Sequence, residues 1–306
     1  MIVVVCPGQG SQTPGFLEPW LAVPDFESDL SEMSAAVGID LLAHGTTSDA
    51  DTIRDTAIAQ PLIVAAGLLT LKALLADGRR DRVAGIAGHS VGEITAAAGA
   101  GILSATDALR FVRERGLAMQ SAAALEATGM SAVIGADETA LLKQLAQLGL
   151  EPANFNGGGQ IVVAGALDAL AQLAANPPTR ARVIPLQVAG AFHTRYMRPA
   201  VDHLSAVATS LESHVPTLPI WSNSTGGGVS DGARFVELLV GQVSSPVRWD
   251  KCMQSFAEAG VTGIIEVAPA GALVGLAKRG LKGVPSVAIK TPDDLPAAFD
   301  LIDQQS

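Results

Sequence analysis

Short apolar runs alternate with longer stretches of helical spacing along most of the chain. Residues 2–6 (IVVVC) and 83–87 (VAGIA) are nearly unbroken apolar runs, the pattern of strands buried on both faces. Residues 58–76 stay apolar for several turns and predict a buried helix, with Gln60-Pro61 in its first turn. Residues 92–100 predict a second helix and 106–123 a third, in which Leu109, Val112 and Met119 are spaced for one buried face. Strands separated by helices predict βαβ units and a largely parallel sheet.

Residues 130–188 follow a different rhythm. MSAVIG predicts a strand, ETALLKQLAQL a helix, EPANFN and QIVVAG two strands, LDALAQLAAN a helix and ARVIPLQ a strand. That order, β-α-β-β-α-β, is the ferredoxin-like unit, with Gly157-Gly158-Gly159 at the turn between its middle strands. The first rhythm returns after residue 189, with strands expected at 218–223 and 263–268 and helices at 231–243 and 270–280. The expected organisation is an α/β large subdomain of residues 1–127 and 189–306, interrupted by a small ferredoxin-like subdomain of residues 128–188.

Composition narrows the function classes. With 20 Lys+Arg against 30 Asp+Glu the net charge is −10. A chain this acidic repels phosphate backbones, so nucleic acid is not an expected partner, and an anionic substrate must be held by local positive charge. Two cysteines, Cys6 and Cys252, without paired spacing exclude a disulfide framework and a zinc knuckle, and no metal is expected. The opening MIVVVCPGQGSQ reads as a first strand rather than a signal peptide. The apolar stretch 62–76 is broken by Lys72 and is short for a bilayer span. A cytoplasmic protein, not membrane-bound and monomeric, is the expectation.

One stretch stands out, VAGIAGHSVGEITAAAGAG at 83–101. Its serine, Ser90, lies between an apolar strand and an alanine-rich helix, in the G-x-S-x-G setting of a nucleophile elbow. Gly88 and Gly92 lack Cβ atoms, which lets strand and helix close around the turn. The helix start aims free N–H groups at the site, and the Val91 N–H is a natural oxyanion donor. The bland alternative is that Ser90 merely caps the helix. A nucleophilic serine needs a base, and the chain has five histidines. His89 adjoins Ser90, but successive side chains in such a turn diverge. His44 and His214 lie in polar loops, and His203 falls in a helix-like run. His193, in VAGAFHTRYM, sits where the chain re-enters the large subdomain, a crevice position.

The motifs PGQGSQ (7–12), QPL (60–62), GHSVGE (88–93), RG (115–116), TGMSAV (128–133), NFN with QIVVAG (154–165), GAFHT (190–194) and SSPVRW (244–249) occur in one order and spacing. Taken together they resemble malonyl-CoA:acyl carrier protein transacylases and, more loosely, the acyltransferase domains of polyketide and fatty acid synthases. The resemblance implies an α/β-hydrolase-like large subdomain with a ferredoxin-like insertion. It implies an enzyme that moves malonyl from malonyl-CoA to the phosphopantetheine thiol of acyl carrier protein through a malonyl-serine, with no bound cofactor. Ser90 would be acylated and His193 its base, with Gln9 and the Val91 N–H as oxyanion hole. Arg115 would clamp the malonyl carboxylate, and the backbone carbonyl of Gln242 would orient His193. Phe192 is of the kind found in members that select malonyl, and Met119 and His89 complete the substrate-binding set. No third acid stands out, since Asp107, Asp137 and Asp168 all look like helix-start residues.

Arg115 is otherwise readable as a solvated helix arginine beside Arg113 and Glu114. Competing readings are a serine esterase or thioesterase on the same elbow, and the transferase subunit of a malonate decarboxylase. Docking of an acidic carrier protein calls for a basic patch, for which Arg195, Arg198, Lys278, Arg279 and Lys282 are candidates.

Overall fold

A computed structural model describes residues 1–304. The chain opens with strand β1 (Ile2–Cys6) and passes through helices α1 (Phe26–Val37) and α2 (Leu41–Thr46) to the long helix α3 (Thr56–Leu74). Strand β2 (Val83–Gly88) and helices α4 (Gly92–Gly99) and α5 (Ala105–Ala123) follow. A second unit comprises β3 (Thr128–Ile134), α6 (Glu138–Leu148), β4 (Glu151–Gly157), β5 (Gln160–Ala166), α7 (Leu167–Ala175) and β6 (Arg182–Leu186). The chain returns with α8 (Arg198–Ala208), β7 (Ile220–Trp221), α9 (Gly232–Gln242), α10 (Trp249–Glu258), β8 (Gly263–Glu266), α11 (Ala272–Gly280), β9 (Ser286–Ala288) and α12 (Leu295–Asp303).

The large sheet has the order β7-β2-β1-β8-β9 and every pairing is parallel. β1 and β2 lie at its centre, and all five residues of β1 are buried, as a strand covered on both faces requires. The small sheet is antiparallel, in the order β4-β5-β3-β6, the ferredoxin-like arrangement with one helix after its first strand and one after its third. Along β3 the side chains alternate: Met130 and Ala132 join the large-subdomain core, whereas Val133 packs under α6 and α7. The edge strand β4 is tied to the large subdomain by Phe155 N–H to Val247 O at 2.8 Å and Val247 N–H to Ala153 O at 2.9 Å.

Pro61 departs from the expected first-turn position. The Asp55 side chain accepts the Ala57 N–H at 2.8 Å, so α3 starts at Thr56 and Pro61 lies inside it. A proline there cannot donate to the carbonyl of Ala57, four residues back. The Arg113 guanidinium supplies the missing donor, Nη1 to Ala57 O at 3.1 Å. At 19 residues α3 is long and apolar enough to cross a bilayer, which the Lys72 break had argued against. Most of it is instead buried against α4 and α5, as the central helix of a protein core.

Candidate active site

The site lies at the carboxyl ends of β1 and β2, where ligands collect in parallel α/β sheets. β2 ends at Gly88, and the His89 N–H donates to Cys6 O at 2.9 Å, holding the turn against β1. Ser90 follows in the left-handed region, φ 55°. A Cβ on Gly88 would sit 2.0 Å from the Gly92 carbonyl carbon, and one on Gly92 2.1 Å from Cys6 O. The corner therefore has room for nothing but hydrogen at both positions, and Ser90 takes the strained backbone that lifts its side chain off the sheet.

Asn223, just beyond β7, pins this corner. Its Oδ1 accepts the Ser90 N–H at 2.8 Å, and its Nδ2 donates to Gly88 O at 2.7 Å. Val91 and Gln9 both line the cavity, and their N–H groups have no acceptor among the described residues. The Gln9 side chain turns away, its Nε2 donating to Arg54 O at 3.2 Å. The donor that Gln9 leaves free is its backbone N–H, which substitution of the side chain does not remove.

His193 lies 2.7 Å from Ser90 Oγ through Nε2. Its ring is fixed from the far side, where Nδ1 faces the backbone carbonyl of Gln242, the last residue of α9, at 2.8 Å. A carbonyl only accepts, so Nδ1 carries the proton and Nε2 is free to take one from Ser90. His193 is buried and also has a left-handed backbone, φ 62°. Burial, seconded by the Arg115 charge, pushes its pKa down to about 3, so the ring is neutral at physiological pH. Asp107, Asp137 and Asp168 stand in or beside the first turns of α5, α6 and α7, away from the histidine.

Arg115 is 1% exposed, set in the apolar stripe of α5 between Val112 and Met119. Its Nη1 donates to Gln60 Oε1 at 2.6 Å, and its Nη2 to Gln242 Oε1 at 2.8 Å, with Ser90 Oγ at 3.4 Å. Apart from Ser90, its partners are neutral amide oxygens, which hold the cation in place without neutralising it. Burial lowers its pKa to about 10, against the pull of Glu93, and it remains charged. Met119 is buried beside it and its sulfur accepts from Gln60 Nε2 at 3.5 Å.

A cavity of about 410 Å³ opens over these groups. Phe192 lines it next to His193, and Met130, Ala132, Val162, Leu186 and Val188 line it from the small-sheet side. His89 points elsewhere than Ser90. Its Nε2 pairs with Asn156 Oδ1 of β4 at 2.9 Å, Asn156 in turn donates to Gln160 at 3.0 Å, and the ring packs edge-on against Trp249. Loss of hydration lowers the His89 pKa, so it is a neutral strut between the two sheets. Of the basic candidates, Arg195 is tied to Glu151 and Tyr196, and Arg279 lines the cavity mouth against Gly158. Gln60, Glu93, Asn156 and Asn223 carry no role in the sequence reading. Gln60 and Glu93 are single polar residues beside apolar runs, Asn156 shares a short strand with Asn154, and Asn223 sits between two serines, all signals shared by many structural positions.

A serine held by a neutral imidazole, beside unpaired N–H groups and a buried guanidinium, is built for transfer of an acidic acyl group. The sequence agrees: it matches the acyl transferase domain family over residues 3–292, and the chain belongs to that family. A relative from Mycobacterium bovis named malonyl CoA-acyl carrier protein transacylase is 50% identical over 305 residues, covering 98% of this chain and 100% of the relative. The crystal structure of MCAT from Mycobacterium tuberculosis superposes with a TM-score of 0.94 at 48% identity, covering 97% of this chain and 99% of that one. A malonyl-transacylase in complex with a type II PKS acyl-carrier protein superposes at 0.92 with 29% identity, covering 98% of this chain and 99% of that one.

Proposed function

We propose that the protein transfers malonyl from malonyl-CoA to the phosphopantetheine thiol of an acyl carrier protein, supplying extender units for fatty acid and polyketide synthesis. The observation that carries this reading is the buried Arg115 guanidinium, 3.4 Å from Ser90 Oγ and held by neutral amides. A planar fork in such a pocket matches a free carboxylate two carbons from the reacting carbonyl.

Ser90 Oγ attacks the thioester carbonyl while its proton passes to His193 Nε2. The tetrahedral oxyanion is held by the Val91 and Gln9 N–H groups. His193, positively charged for this interval, is steadied by the Gln242 carbonyl. The intermediate collapses, the C–S bond breaks, and the proton goes to the departing CoA thiolate. The carrier-protein thiol then gives its proton to His193, attacks the malonyl-serine ester, and restores the Ser90 hydroxyl. Arg115 grips the carboxylate throughout, and both half-reactions use protein groups alone. The carrier protein is a transient partner entering at the cavity mouth beside Arg279, and a cytoplasmic monomer belongs to the same reading.

Intact-mass spectrometry after mixing with malonyl-CoA tests it. One malonyl adduct is expected on the wild-type protein and none on Ser90→Ala, and the adduct should vanish when phosphopantetheinylated carrier protein is added. An adduct that survives the serine deletion, or decays to water as fast as to the thiol, overturns the reading.

A further inference from the structure

Beneath the serine corner lies a buried carboxylate that the transfer steps do not use. Glu93, in the first turn of α4, is 1% exposed. Its Oε1 accepts the Asn223 N–H at 2.6 Å, and its Oε2 accepts from Gln242 Nε2. Ser222 donates to it as well. The same Gln242 amide turns its oxygen to Arg115 Nη2 at 2.8 Å and shares its nitrogen with Ser90 O at 3.2 Å.

We infer that Glu93 is a positioning residue for acyl-group selectivity: it fixes which end of the Gln242 amide faces Arg115, and so holds the guanidinium where an acyl carboxylate can meet it. An amide has one donor end and one acceptor end. The Gln242 oxygen faces the arginine because its nitrogen has a carboxylate on the other side. Reversed, the amide would set N–H against N–H at Arg115, inside a dry site where an unmatched donor is costly. A carboxylate at residue 93 presents acceptors in both directions at once. A glutamine there has a single oxygen, so either the Asn223 N–H or the Gln242 nitrogen would meet an NH₂ group. Burial raises the Glu93 pKa, and the hydrogen bonds from Asn223, Ser222 and Gln242 together with the Arg115 charge oppose that shift by favouring the ionised, all-acceptor form.

The inference rests on the transferase reading, and the experiment separates the two. Acylation of wild type, Glu93→Gln and Glu93→Asp is measured with malonyl-CoA and with acetyl-CoA, alongside the reaction of Ser90 with phenylmethylsulfonyl fluoride. Glu93→Gln should lose malonyl-over-acetyl preference by about ten- to a hundredfold, the scale of a displaced hydrogen bond to a charged group. Acetyl transfer and sulfonylation should change far less. Glu93→Asp keeps two acceptor oxygens on a shorter arm and should lose less preference than Glu93→Gln. A preference unchanged in Glu93→Gln, or equal losses for malonyl, acetyl and the sulfonyl fluoride, overturns the assignment. Failure of both variants to fold overturns it in favour of a purely structural carboxylate. A wild type without malonyl preference removes the Arg115 clamp, and this inference with it.

Discussion

The floor and the roof of the cavity are built on opposite principles. The floor is the end of a parallel sheet, where each strand gives way to a turn and a helix start, so backbone N–H groups and strained corners converge on Ser90. Nearly every polar group there has a named partner: Asn223 on the Ser90 N–H, the Gln242 carbonyl on His193, two glutamines on Arg115. The roof is a face of an antiparallel sheet. It offers side chains at a period of two, and these are mostly apolar: Met130, Ala132, Val162 and Leu186. Strand ends can aim charge and free N–H groups at one atom, whereas a sheet face supplies shape and excludes water. Chemistry should therefore be lost through the floor and fit through the roof.

The sharpest break comes at the base. His193→Ala should slow acyl-enzyme formation by about 10²–10⁴-fold, the usual worth of general acid–base catalysis, with substrate binding little changed; rapid-quench kinetics reads it. Next is Arg115→Ala, expected to lose malonyl transfer by about a hundredfold while acetyl transfer holds or rises, seen in paired kcat/KM values. Unchanged malonyl kinetics would show that the floor carries no clamp.

The pH dependence sharpens the contrast further. An ordinary histidine base protonates as pH falls through about 6.5. His193, with its pKa at about 3, should keep acylation free of that limb from pH 8 to pH 5. The same depression sets a stability trend. The unfolded chain takes up this proton below about 6.5 and the folded one does not, so stability is full above that pH and falls as pH drops toward 3. His193→Gln should flatten that part of a melting-temperature profile.

The smallest effects belong to the roof and to the second arginine of α5. Asn156→Ala removes the His89 strut and should cost about 1 kcal/mol in a denaturant melt, with a modest rise in KM. Arg113→Leu strips the donor from the Ala57 carbonyl and should cost about 1–3 kcal/mol of stability while malonyl selectivity stands. Two arginines two residues apart would then separate, one by folding and one by chemistry.

Much of this division is legible in the chain. β1 and β2 are unbroken apolar runs, and the switch to β-α-β-β-α-β announces the second sheet. Ser90 is visible because a corner that tight demands glycines at 88 and 92. Arg115 carries a weaker signal, a charge in register with Val112 and Met119. Helix α1 is obscured because it buries only Phe26, Leu30 and Val37, too thin a stripe to stand out. Helix α10 does have a stripe, Trp249, Cys252, Met253 and Phe256, at the same spacing that identifies α5. The start of α3 is misread because Pro61 suggests a first turn, and its true compensation, Arg113, is 52 residues away in sequence (113 − 61). The Gln242 carbonyl leaves no side-chain trace, and local spacing alone does not choose His193 among five histidines. Both depend on contacts between distant segments, which periodicity does not encode.

The small sheet is spliced into the chain between the nucleophile and its base, which lie 103 residues apart. A growing polypeptide thus leaves the ribosome with Ser90 and Arg115 already made, while His193 and Gln242 are still to be translated. During that interval the hydroxyl has no proton acceptor and the guanidinium lacks half its cradle. Transfer therefore requires that the segment carrying His193 and Gln242 has docked on the one carrying Ser90 and Arg115.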